Sequence, residues 1–85
     1  MDLKIEYTES AFGHHIEEAD IVHAIANKIR DKPMKKYTNK YGLVGFDRSG
    51  NLLEIVYNPL DEDTILVFHT MKCRMSFLKS LDEEE

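Results

Sequence analysis

Three β-rich runs in the second half of the chain, Tyr41 to Asp47, Leu52 to Asn58 and Thr64 to Cys73, are joined by short links. Strands joined this way must run antiparallel, because a parallel pair needs a crossover of a dozen or more residues. The first link, Asp47-Arg48-Ser49-Gly50-Asn51, has a glycine placed for a bulged hairpin, and Asn58-Pro59-Leu60-Asp61-Glu62-Asp63 is rich in turn formers. A three-stranded antiparallel meander is the fixed part of the fold, and the remaining elements must pack on it.

Upstream, Leu3, Ile5 and Tyr7 alternate with Lys4 and Glu6, the period of a half-buried strand. Thr8 can cap a short helix through Phe12, with Gly13 placed to end it in the left-handed conformation. From Glu17, the apolar residues Ile21, Val22, Ile25, Ala26 and Ile29 lie along one side of a helix that Pro33 stops beyond Asp31. Asp20, His23, Asn27 and Arg30 form its solvated side, and Asp31 to Lys40 is a basic connector. Met75 to Leu81 offers Phe77, Leu78 and Leu81 to a short closing helix. The predicted order is β-α-α-β-β-β-α, an α+β domain with two helices packed on one face of a twisted antiparallel sheet.

A chain of 85 residues has room for one core. Residues 1–81 are expected to form a single domain and residues 82–85 an acidic, disordered tail. That tail carries four of the five net negative charges, so the body is nearly neutral. Six of the eleven Lys and Arg residues fall between Lys28 and Lys40, so charge is segregated along the chain. A single cysteine, Cys73, and a start without a basic or apolar leader favour a reducing cytoplasm. The longest apolar run, Ile65 to Phe68, is far short of the roughly 20 residues that cross a bilayer, so no membrane association is expected.

Two segments resemble the BrnT-like group of small toxins. Thr8-Glu9-Ser10-Ala11-Phe12-Gly13-His14-His15-Ile16-Glu17-Glu18-Ala19-Asp20-Ile21 is similar to the group's short helix, His-containing turn and acidic helix start. Gly45 to Tyr57 and Ile65 to Lys72 resemble its Gly-Arg-Leu-Leu, Val-Tyr and Ile-Ile-Ser-Ala-Arg-Lys pattern, with Met71-Lys72 and then Arg74 where the group has Arg-Lys. The resemblance implies a RelE/ParE-type fold, the toxin of a type II toxin–antitoxin pair, and a cytoplasmic endoribonuclease (mRNA interferase) acting on messenger RNA, free or on the ribosome. It also implies neutralisation by a cognate antitoxin, with that partner as the route to any oligomer.

Metal-independent RNA cleavage needs a base for the 2′-hydroxyl, cations for the phosphate and an acid for the leaving oxygen. His69 is the first candidate, since an imidazole exchanges protons near neutrality. The same residue also continues the alternation Ile65, Val67, His69, Met71, as an ordinary core-edge histidine would. Lys72 and Arg74 are placed to hold a phosphate or to be solvated charges at a strand end. Tyr57 can donate a proton, stack on a base or simply pack. Lys36, Lys40, Tyr41 and Arg48, with Tyr37, are candidates for contacts to the RNA, and basic surfaces of this kind also receive acidic antitoxin segments.

His14-His15 diverge as neighbours and lack companion ligands, so they are expected in a turn, with no metal and no cofactor. Cys73 is expected to pack. Ile65, Val67 and Met71 point to one face and Leu66 and Phe68 to the other, so both faces need cover. The closing helix is short, which leaves a groove for a partner's helix or strand. The alternative to the toxin is a non-catalytic interaction module that retains the fold.

Overall fold

The structure is a computed structural model in which residues 3–83 are described. Strand β1 (Lys4–Tyr7) leads through a 3-10 turn (Glu9–Phe12) to helix α1 (Glu18–Ala26). Strands β2 (Lys28–Pro33), β3 (Tyr41–Phe46), β4 (Leu52–Pro59) and β5 (Thr64–Lys72) follow, and helix α2 (Met75–Glu83) closes the chain. The five strands form one sheet in the order β1-β5-β4-β3-β2. The meander is β3-β4-β5, antiparallel throughout, as the short links require. Its first link reverses on Gly50, whose φ of 84° is open to a glycine at no steric cost. There Asp47 Oδ1 accepts the backbone N–H groups of Ser49 and Asn51 at 2.9 and 2.8 Å.

Several sequence expectations are corrected. Helix α1 stops at Ala26, where the Asn27 N–H and side-chain amide both bond back to the last helical turn. The basic segment beyond it is not a connector. It is edge strand β2, antiparallel to β3, where Pro33 costs no interior ladder bond. Ile29 therefore belongs to a bulge of this strand, 42% exposed, and Val22 of the expected apolar stripe is 44% exposed, whereas Ile21 is buried. Strand β1 pairs with β5 in parallel, so the sheet is mixed rather than wholly antiparallel. Gly13 is right-handed at φ −64°, and His15 takes the left-handed conformation instead at φ 62°. Finally, α2 runs through Asp82 and Glu83, and Asp82 pairs with Arg30 at 2.7 Å. The first half of the expected tail is thus helical, and Glu84 and Glu85 lie outside the described residues.

The 3-10 turn and α1 share one face of the sheet, over Leu43, Leu53, Ile55, Tyr57 and Val67. Helix α2 lies on the other, with Phe77 and Leu81 against Val44 and Val56. Strand β3 admits both helices through glycine. A Cβ on Gly45 would overlap the Ala24 carbonyl, and one on Gly42 would meet Leu81 and Phe77.

One irregularity decides what faces α2. Tyr57 pairs with Val67 and Val56 with His69, which leaves Phe68 as an extra residue in β5. Before the bulge, Ile65 and Val67 share the α1 face. After it, His69 and Met71 register with Val56 and Glu54, on the α2 face. The straight alternation expected from Ile65 to Met71 is therefore broken at Phe68.

Candidate functional site

At the floor of the α2 face is Glu54, a carboxylate with no exposure to solvent. A buried carboxylate is costly unless its oxygens are bonded, and here every partner is a donor. Its Oε1 accepts the Arg74 backbone N–H at 2.9 Å and Nε at 3.2 Å. Its Oε2 accepts Arg74 Nη2 at 2.7 Å and His69 Nε2 at 2.9 Å. Burial pushes the Glu54 carboxyl up, but the side-chain and backbone hydrogen bonds of Arg74, and that of His69, outweigh it and hold the group below the usual carboxylate range. Glu54 in turn holds the Arg74 guanidinium charged.

An ionised carboxylate only accepts, so the ring nitrogen bonded to it must carry the proton. In the neutral imidazole of His69 that nitrogen is Nε2, and Nδ1 is left with a free lone pair. Glu54 therefore sets the tautomer of His69 and fixes the orientation of both His69 and Arg74. Arg74 also opens α2, since its carbonyl accepts the N–H groups of Phe77 and Leu78.

Above this pair is a cleft of about 290 Å³, lined by Met34, Tyr37, Lys40, Val56, Phe68, His69, Arg74 and Phe77. Its lining combines apolar and aromatic side chains with the cations Lys40 and Arg74. Lys40 Nζ is 5.0 Å from the centroid of the Tyr37 ring and 4.8 Å from that of Phe68, so the ammonium sits over two π-faces at the cleft. Beside His69, the His14 ring lies edge-on with centroids 5.7 Å apart.

Of the sequence candidates, His69, Arg74 and Lys40 come together in this cleft, with Tyr37. Tyr57 does not. It belongs to the core of the α1 face, donates to Asp31 Oδ1 at 2.5 Å and stacks on Tyr41, with ring centroids 5.5 Å apart. Burial and that Asp31 bond raise the phenol well above its ordinary pKa, which makes it a poor proton donor. Tyr41 shares that environment, across the sheet from the cleft. Lys72 registers with Leu53, so the bulge leaves it on the α1 side. Arg48 is held by α1: its Nε donates to Asp20 Oδ1 and its Nη2 to Glu17 Oε1, each at 2.8 Å. Lys36 is exposed on the β2–β3 link and does not line the cleft. Cys73 packs at the edge of the α2 cluster, its thiol pushed up by burial.

Two residues escaped the sequence reading. Glu54 is an acid between Leu53 and Ile55 in an apolar strand, and that oddity was its signal. His14 was assigned to a turn, and nothing in the sequence connects it to residue 69.

No family model matches the chain, and no curated protein matches it by sequence. Among solved structures the chain is similar to the crystal structure of the Brucella abortus ribonuclease toxin BrnT. The TM-score is 0.65 at 12% identity, over 86% of this chain and 99% of that one. At that identity the likeness is one of architecture, and the α+β sheet with its flanking helices is a BrnT-like fold.

Proposed function

We propose that this chain is the ribonuclease toxin of a toxin–antitoxin pair, of RelE/ParE type, cutting messenger RNA without a metal. The observation that carries this reading is the buried Glu54 bonded at once to His69 and Arg74, which line a cleft shared by Lys40 and the rings of Tyr37, Phe68 and Phe77. The likeness of fold to a ribonuclease toxin supports it. His69 Nδ1 is the base that takes the 2′-hydroxyl proton. Arg74 and Lys40 hold the phosphate, and the Tyr37, Phe68 and Phe77 wall receives an unstacked base, as single-stranded RNA offers. An acidic antitoxin segment laid over Lys40 and Arg74 would neutralise the same site. The non-catalytic interaction module has one observation in its favour, since Glu54 already offsets the charge of Arg74.

Purified protein incubated with RNA in EDTA distinguishes the two. The expected products end in a 2′,3′-cyclic phosphate and a 5′-hydroxyl. His69→Ala should slow cleavage by about 10²–10⁴-fold with the thermal transition in place, whereas Lys72→Ala should cleave normally. Folded wild-type protein that leaves RNA intact overturns the enzyme reading. Growth arrest on induction, relieved by co-expression of an antitoxin, tests the toxin itself.

A further inference from the structure

A base alone does not complete the reaction, because the departing 5′ oxygen needs a proton, and several candidates are poor sources. Arg74 is held charged by Glu54. The Lys40 ammonium is engaged with the faces of Tyr37 and Phe68. Tyr57 is across the sheet, bonded to Asp31. The imidazole of His14 is different: it is exposed, and among the described residues no group hydrogen-bonds it.

The placement of His14 is built rather than incidental. The segment that carries it is stapled to the part of β5 that carries His69. Thr8 N–H donates to the Val67 carbonyl at 3.0 Å, Ser10 Oγ to the Phe68 carbonyl at 2.7 Å, and Thr70 Oγ1 to the Ala11 carbonyl at 2.5 Å. The last two bonds flank His69 at the bulge. The left-handed φ of 62° at His15, unusual for a residue with a Cβ, turns the chain directly after His14. The result is two imidazoles 5.7 Å apart with unlike surroundings, one backed by a buried carboxylate and one open to solvent.

Resting on the ribonuclease reading above, we propose that His14 is the general acid that protonates the 5′ leaving oxygen while His69 acts as the base. The 2′ oxygen bonds to phosphorus as its proton passes to His69 Nδ1. The bond from phosphorus to the 5′ oxygen breaks, and its electron pair takes the proton of His14. The products are the 2′,3′-cyclic phosphate and a 5′-hydroxyl, with His69 left protonated and His14 neutral. Exchange with solvent, to which His14 is open, restores both.

The test compares a short RNA with its analogue in which sulfur replaces the bridging 5′ oxygen. A thiolate leaves without a proton, so only the oxygen substrate needs the acid. His14→Ala and His14→Gln should cut the oxygen substrate about 10²–10⁴-fold more slowly, yet cut the sulfur substrate close to the wild-type rate. His69→Ala should be slow on both. That rescue also shows the His14 variants to be folded. Equal slowing of both substrates by the His14 variants, or slowing of neither, overturns the role of His14 while wild-type cleavage leaves the ribonuclease reading standing. Wild-type protein that cuts neither substrate overturns both.

Discussion

The two faces of the sheet are built from the same three meander strands, yet they solve opposite problems. On the α1 face, helix and sheet meet backbone to backbone at Gly45, and the side chains beneath are apolar. Several of its polar groups close on one another: Tyr57 on Asp31, and Arg48 on Asp20 and Glu17. On the α2 face, contact at Gly42 is with flexible side-chain ends, a carboxylate is buried, and the cations Lys40 and Arg74 line a cleft. On the proposed function, the sheet separates the face that carries stability from the face that carries chemistry.

The sharpest way to break this comparison is a methyl group on each face. Gly45→Ala drives a Cβ into the Ala24 carbonyl, which only movement of α1 can relieve, and should cost about 3 kcal/mol or more, the upper end for overpacking. Gly42→Ala places its Cβ 2.6 Å from Leu81 Cδ2, a side chain that can turn aside, and should cost about 1 kcal/mol. Urea unfolding midpoints measure both, and equal losses would mean that the faces are equally rigid.

Tyr57→Phe removes a hydrogen bond to a carboxylate and should lower stability by about 1.5–3 kcal/mol without changing the rate of RNA cleavage. A loss of rate at unchanged stability would move Tyr57 to the other face in function. The smallest effect is expected from acid. The folded pKa of Glu54 is depressed, so its stabilisation is full above the unfolded carboxylate pKa of about 4.3 and is lost as pH falls through the folded value. The stability gap between wild type and Glu54→Gln, followed by urea titration, should therefore narrow below about pH 4. A gap that widens on acidification would contradict the ionised state from which the tautomer of His69 follows.

The meander was legible because alternation and short links leave one solution for Tyr41 to Lys72, and the closing helix because Phe77 and Leu81 recur at helical spacing. Strand β2 was not. Ile25 and Ile29 continue a helical period through residues that the fold uses as an edge strand, and pairing with β3 overrides the local pattern. The site was legible by half. His69, Arg74 and Lys40 are the residue types that phosphate chemistry calls for, but the partners that orient or adjoin them are distant in sequence, Glu54 by 15 positions from His69 and His14 by 55. Tyr57 and Lys72 suit the same chemistry by type and were misplaced because no sequence signal marks the bulge.

That bulge has a consequence for how related sequences are compared. Side chains on a strand obey a parity rule, and Phe68 reverses it: Ile65 and Val67 share a face with Thr70, not with His69. A relative one residue shorter at this point keeps its histidine opposite the same position of β4, because regular alternation from Val67 already places the next residue on the α2 face. A relative of the same length that pairs without the bulge exchanges the inner and outer sets of every residue that follows, so a histidine in the same alignment column would lie in the core against α1. Within β5, column identity and spatial identity part company at Phe68, and only a comparison made in two frames can tell whether a relative retains the cleft.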